Sequence, residues 1–575
     1  MNVKLMTAQV LLLSALTVPA LPGAQYLQSK PLKDVVSTEV GEVKPGVIQL
    51  PVITWGGDIA TLQANGGAVS TQPGSSFETQ KLKFKLVRKD VFSEQVQDFI
   101  SGQPYLRGTV GMINQALSAL TDPRVRPVVI YQLTWSSGGD VLVVRPSVRD
   151  AAGLKGKTIV VQAYGPHVDF LVQTLQDAGV DLAQVNLKYV KDITGTDNSP
   201  AEAFRTDPSV DAAFVISPDA ADLTGGPGKT GTGAEKTVKG ARALMSTRTA
   251  DHVIADVYAV RADYLRDHPG EVESFVHALM NGQEQLADLA KAPGRKAEYD
   301  KLMAQAALVF LDTRDALDSA KGLLGDCTFA GYQGNVKFFT DPNYPRRFEK
   351  VSAENQAALV TLGLLSGKST LNSAGFDYER IKAGLRNTAI EAESPRFDAS
   401  AVASLVARRG EALNSVFSFE VLFEPNMAQF EVAQYKEQFD KVISMVSTYD
   451  GAILTVEGHT DPNNYLKLLH TEGALPVEIK QSWQVNLNKS LERANRVRDE
   501  LLEYARQQSI LVKEDHLTTV GYGCSKPRKG VEKAGPFKGQ PVPSLTQEEW
   551  RANMRVVFRI INVEAEAGVF TPVKQ

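Results

Sequence analysis

Apolar and polar positions follow two different rhythms along this chain, and the changes of rhythm divide it into parts. Across residues 48–214, short apolar runs recur: Val128-Val129-Ile130-Tyr131, Val141-Leu142-Val143-Val144 and Thr158-Ile159-Val160-Val161. Runs this short, bounded by polar turns, predict buried strands. Between and after them apolar positions return at helical spacing, as in Val168, Leu171, Leu175 and Ala178. Strand, helix, strand in this order predicts an α/β fold with parallel sheets flanked by helices. From Pro269 to about Leu385 the helical period dominates, over 272–289 and 298–311. A second α/β pattern follows Phe417: strand-like 417–423, helical 434–446, strand-like 453–457, a long helix over 486–506 and a last strand over 553–561. Between the two patterns, the polar and small residues around Ser394-Pro395 read as a connector at 388–411. Each flanking part has enough elements for its own core, so 25–387 and 412–575 are expected to fold independently.

Composition changes the picture at the ends rather than in the middle. With 43% hydrophobic and 22% charged residues among 575, the chain has the make-up of a soluble globular protein. The first residues depart from it. Lys4 precedes an uncharged, largely apolar stretch, and small residues follow at Val18-Pro19-Ala20 and Pro22-Gly23-Ala24. Charge, short apolar core and small-residue exit predict a cleavable signal peptide over 1–24 and an extracytoplasmic mature protein, periplasmic or elsewhere in the envelope. A net charge of −4 without a long basic run excludes a nucleic-acid partner on electrostatic grounds. The two cysteines, Cys327 and Cys524, fall in different parts and are expected as isolated thiols. No zinc-type cluster stands in the sequence, so neither metal nor cofactor is expected.

In the C-terminal part, Val456-Glu457-Gly458-His459-Thr460-Asp461 is a strand running into an acidic turn. At ~100° per residue, Leu487, Leu491, Ala494, Val497 and Leu501 predict the buried stripe of the long helix. Asn486, Ser490 and Arg493 then share one edge beside it, an amide, a hydroxyl and a guanidinium together. Asp461-Pro462 also suits a helix cap followed by proline. With Gly521-Tyr522-Gly523 and Asn553-Met554-Arg555-Val556, these residues come in the order of the OmpA-like family, which the chain resembles from Phe417 onward. A longer stretch before Asn486, holding Trp483, and Lys489 and Met554 depart from the usual pattern. The resemblance implies an OmpA-like α/β sandwich that binds the diaminopimelate of peptidoglycan: Asp461 would take its ammonium and Arg493 its carboxylate, with Asn486, Ser490 and Arg555 alongside. One fixed charge of each sign suits a zwitterion, and arginine offers a planar fork.

The N-terminal part carries Trp55-Gly56-Gly57-Asp58, Leu106-Arg107-Gly108-Thr109, Trp135-Ser136-Ser137-Gly138-Gly139-Asp140, Tyr164-Gly165-Pro166-His167 and Ser217-Pro218-Asp219. In this order they resemble the periplasmic solute-binding proteins of ABC importers, in the nitrate/taurine-type group. The resemblance implies two lobes with a ligand between them and importer membrane subunits as partners. In open α/β sheets, ligands sit at strand ends where glycines admit close approach. That makes Trp55, Gly57, Asp58, Thr109, Trp135, Ser136, Ser137, Asp140, Tyr164, Gly165, Ser217 and Asp219 the candidate contacts for a small anionic or zwitterionic solute. Hydroxyls and helix N-termini favour an anion; Asp58 and Asp140 favour an amine. Gly138-Gly139 alternatively turns a hairpin between strands 128–135 and 140–145, and each tryptophan alternatively fills a core. Gly225-Gly226-Pro227-Gly228-Lys229-Thr230 lacks the first glycine of a phosphate loop. No nucleophile–base pair stands in the strand-end loops. The expected activity is therefore binding, with a sensor, a structural wall protein or a small-molecule enzyme as the rival classes.

Overall fold

The computed structural model describes residues 24–388, 406, 415–422, 435–528 and 546–561. The expected leader up to residue 23, nearly all of the connector and Phe423 lie outside them. Four strands open the chain: β1 (Ile48–Val52), β2 (Phe84–Arg88), β3 (Tyr105–Thr109) and β4 (Pro127–Ser136). The chain then crosses to a second lobe built on β5 (Asp140–Val144), β6 (Thr158–Gln162), β7 (Asn186–Val190), β8 (Ala212–Ile216) and β9 (Arg242–Ser246). It returns through β10 (Ala255–Arg261), β11 (Cys327–Phe329) and β12 (Asn372–Ser373). A third unit holds β13 (Ser415–Leu422), β14 (Ile453–Gly458), β15 (Leu517–Gly521) and β16 (Arg555–Ile561).

Lobe one centres on the order β11-β4-β10-β3, with β12 beside β4 and a separate parallel pair β1-β2. Its main sheet is antiparallel apart from the β12–β4 pair, where parallel strands were expected. Lobe two has the order β7-β6-β8-β5-β9 and is parallel only across β7-β6-β8. Nearly every residue of β4 and all of β5 are buried, as unbroken apolar runs require.

The pair Gly138-Gly139 does not turn a hairpin. β4 pairs within lobe one and β5 within lobe two, so these glycines are the crossing between lobes. Gly138 has φ +138°, and a Cβ on Gly139 would stand 2.4 Å from Cζ3 of Trp55. Backbone geometry demands glycine at the first position and close packing demands it at the second. The chain crosses back between β9 and β10.

The long helix of the third unit begins earlier than its period predicts, at Pro476, with the Leu475 N–H donating to the Glu478 carboxylate at 3.0 Å. The stretch with Trp483 is thus a helical extension, and Trp483 packs edge-on against Tyr465 at 5.2 Å. Ala494, Val497 and Leu501 of the expected stripe are buried, but the turn before them differs: Leu491 is 40% exposed while Ser490 is fully buried. Glycines explain the difference: a Cβ on Gly458 would lie 1.9 Å from the Ser490 carbonyl oxygen, and one on Gly521 would lie 2.7 Å from Ser490 Oγ. The helix settles with its small face, Ser490 and Ala494, against bare backbone of β14 and β15.

The third unit is seated on lobe two. One apolar cluster holds Phe170, Leu175 and Val253 together with Val446, Tyr449 and Phe558. The Tyr449 hydroxyl donates to Asp177 Oδ2 at 2.6 Å, the His252 N–H to the Thr448 carbonyl at 3.2 Å, and the Gly451 N–H to Asp251 Oδ1 at 3.2 Å. A Cβ on Gly451 would collide with the Arg248 carbonyl oxygen at 1.7 Å. Gly451→Val is therefore expected to unseat the third unit and open the part of the apolar cluster that it shares with lobe two. Small-angle scattering should show a larger radius of gyration; an unchanged curve would contradict the seating.

Candidate functional site

The two lobes face each other across a narrow cleft with a cavity volume of about 40 Å³, lined from both sides. Its floor is organised by Arg107, fully buried in the middle of β3. Arg107 Nε donates to both carboxylate oxygens of Asp58, at 3.2 and 3.1 Å, and Nη1 donates to Asp256 Oδ1 at 2.8 Å. Burial raises the Asp58 carboxyl to about 6 and also raises Asp256, with Arg107 pulling both back. Thr134 links this group to the cleft wall: its hydroxyl accepts from Trp55 Nε1 at 2.9 Å and donates to Asp256 at 3.2 Å.

From lobe two, Asp140 accepts from the Ser136 hydroxyl at 2.6 Å and pairs with His167 Nε2 at 2.8 Å. Thr247 Oγ1 accepts the N–H groups of Gly138 and Asp140, at 3.0 and 3.1 Å, pinning the crossing. A second link between lobes is Asp169, whose Oδ2 accepts from the Gly111 N–H at 3.2 Å. Burial pushes its carboxyl up to about 7, against the pull of Thr109 and Gly111.

Of the residues singled out in the sequence, Trp55 and Asp140 line the cleft. Gly57 and Asp58 stand behind it: Asp58 is committed to Arg107, and a Cβ on Gly57 would meet Thr134 Cγ2 at 2.9 Å. Thr109 caps the helix Val110–Ala116 by accepting from the Met112 N–H. Trp135 belongs to a core, edge-on to Phe338 and His252 at 5.6 and 5.0 Å. Ser136 is buried against Asp140, Ser137 bonds Thr328 Oγ1 at 2.7 Å, and Ser217 donates to Asp326 at 2.7 Å. Tyr164 donates to the Lys30 carbonyl, Gly165 packs over the Gln162 amide, and Asp219 accepts from Thr194. Missed residues include Asp90, Met112, Gln162, Asp256 and Asp169. The one signal for this group was Arg107, a charge within an apolar strand, which implies buried counter-charges elsewhere.

In the third unit, the turn after β14 and one helix edge come together. Arg493 Nη1 donates to the His459 carbonyl oxygen. Burial lowers the Arg493 pKa, and no carboxylate among the described residues pairs with it. Asp461 is raised by burial; it accepts from the Asn463 N–H at 2.7 Å and likewise has no ion pair among the described residues. His459 is 2% exposed, and neither ring nitrogen has a hydrogen-bond partner among the described residues. Burial, with Arg555, Lys526 and Arg493 nearby, pushes it down to about 3, so it is neutral. Ser490 Oγ accepts from the Gly523 N–H at 2.8 Å, Asn486 bonds within its own helix to Ser482, and Arg555 Nε lies 3.3 Å from Glu420.

The chain matches no family model and no curated protein. Solved structures similar to it include the periplasmic aliphatic sulphonate-binding protein SsuA from Escherichia coli, at 14% identity over 61% of this chain and 97% of that one, TM-score 0.38. The periplasmic nitrate-binding protein NrtA from Synechocystis PCC 6803 is similar at 13% identity over 61% and 87%, TM-score 0.37. So is the desulfurization enzyme DSZB, at 17% identity over 59% and 100%, TM-score 0.37.

The link through Asp169 has a pH consequence. Its carboxyl is raised from 3.8 to about 7, so across that window the folded chain holds a proton that the unfolded chain has lost. Its contribution to stability therefore falls as pH rises through the window. Urea unfolding from pH 4 to 7 should show Asp169→Asn losing that share of the downward slope. Parallel slopes for both proteins would contradict the assignment.

Proposed function

We propose that this chain is a wall-tethered extracytoplasmic solute-binding protein. The two N-terminal lobes capture a small solute and deliver it to the membrane subunits of an ABC importer. The third unit binds peptidoglycan non-covalently through the diaminopimelate of its stem peptide. The observation that carries the wall half is the pair Asp461 and Arg493: two half-buried charges of opposite sign, close in the chain fold and without ion-pair partners among the described residues. Desolvating a charge without a counter-charge is costly, and a zwitterion supplies both. The solute half is supported by a cleft walled from both lobes, whose apolar lining is interrupted by a few polar groups.

Cys327 in the N-terminal lobes is raised well above the ordinary value, first by burial and then by Asp256, Asp326 and Asp58, which disfavours thiolate chemistry at this residue. The leader-like first residues support export, and no described helix is long and apolar enough to cross a membrane.

Co-sedimentation with purified peptidoglycan tests the wall half. Removing one partner of a desolvated charge contact costs about 2–5 kcal/mol. Asp461→Asn and Arg493→Met should each lower the sedimented fraction tenfold or more, with the melting temperature preserved. If both variants sediment like the unaltered chain, the wall assignment fails.

A further inference from the structure

The cleft carries more carboxylate than its own side chains balance. Asp90 and Asp256 from lobe one and Asp140 from lobe two line the same cavity, and no lysine, arginine or histidine stands among its lining residues. Behind the wall a single guanidinium, Arg107, serves both Asp58 and Asp256. Asp90 accepts from the Thr54 N–H and hydroxyl at 2.7 and 2.9 Å, and lies 3.4 Å from Arg88, which it shares with Asp312. Asp140 has His167 and Ser136.

Gln162 is an independent sign of the same kind. It is 2% exposed and lines the cavity. Its Nε2 donates to the Lys191 carbonyl at 3.2 Å and, at 3.5 Å, towards that of Asp90, which fixes the amide orientation. No described residue donates to its Oε1, so an acceptor is left for something that brings hydrogen-bond donors. The remaining wall, Trp55 and Met112 among it, is apolar and polarisable, with an indole available to a cationic group.

We propose that the cleft takes a small organic cation, an ammonium-bearing compound with an apolar body, rather than an inorganic or sulfonate anion. This rests on the solute-binding reading of the same cleft and assigns its ligand class. An anion between three carboxylates would enter an unfavourable field with no basic side chain lining the cavity to receive it. An ammonium supplies the missing charge and donates to Gln162 Oε1. The raised Asp256 carboxyl, driven first by burial and further by the charge of Asp140, is the cost that such a ligand relieves.

A charge series of matched shape decides the class. The full chain is titrated calorimetrically with benzylammonium, benzyl alcohol and phenylmethanesulfonate. Benzylammonium should bind at least tenfold more tightly than the alcohol, and the sulfonate should give no saturable heat. Asp90→Asn and Gln162→Met should each weaken ammonium binding tenfold or more, with the melting temperature retained. Sulfonate or alcohol binding as tightly as the ammonium overturns the cation proposal and keeps the solute cleft. No saturable heat from any of the three, with the protein folded by circular dichroism, overturns both.

Discussion

Arg107 is the group on which the N-terminal half depends. A fully buried guanidinium needs counter-charge and acceptors around it. Here they come from three places in the chain, with Nη2 held among the described residues only by its ion pair to Asp58 at 3.0 Å. Asp58 opens the helix after β1, Asp256 is the second residue of β10, and the Gly108 carbonyl belongs to β3 itself. Removing one partner of such a buried pair typically costs ~3–5 kcal/mol, because the other charge is stranded. Through Thr134 the same network sets the indole of Trp55, and through Trp55 it sets the crossing at Gly139. One interaction thus locks the β1–β2 pair to the main sheet, shapes the floor of the cleft and places the link to lobe two.

The third unit adds a constraint of a different kind. Independent folding parts joined by a connector lead to the expectation of a loose tether. Tyr449, Thr448 and Gly451 instead meet lobe two through backbone contact and a half-buried tyrosine–carboxylate bond. Burial raises Asp177, and the Gln173 amide and Tyr449 hydroxyl offset it. A unit held in this way transmits orientation as well as position. Under the proposed wall contact, the third unit would also orient lobe two, so the cleft would face a set direction relative to the wall polymer.

Much of this was legible in the residues, and the illegible remainder has physical causes. Strand runs such as 141–144 and 158–161 are visible because strands buried on both faces leave no polar position to break them. Sheet partnership is not local, so Gly138-Gly139 read as a loop for close ligand approach or as a hairpin turn, and not as the crossing between lobes. The long helix was found, yet its buried face was misplaced around Leu491. Apolar periodicity cannot register that neighbouring strands offer glycine backbone, against which a serine packs better than a leucine. In the cleft, Trp55 and Asp140 were accessible to strand-end reasoning. Asp90, Gln162 and Asp256 were not, since each acquires meaning only from what lies across the cavity. Asp461 and Arg493 were singled out together, through the order of the OmpA-like motifs, and the structure brings the acidic turn and the helix edge together through Arg493 and the His459 carbonyl.

The central claim is that the lobes hold one small solute and release it unchanged. Native mass spectrometry of the full chain, purified from envelope extract without denaturation, addresses it directly. The account predicts one low-mass adduct per chain, recovered intact on denaturation and carrying an ammonium group. A bare chain, or a chain covalently altered by its ligand, would contradict it.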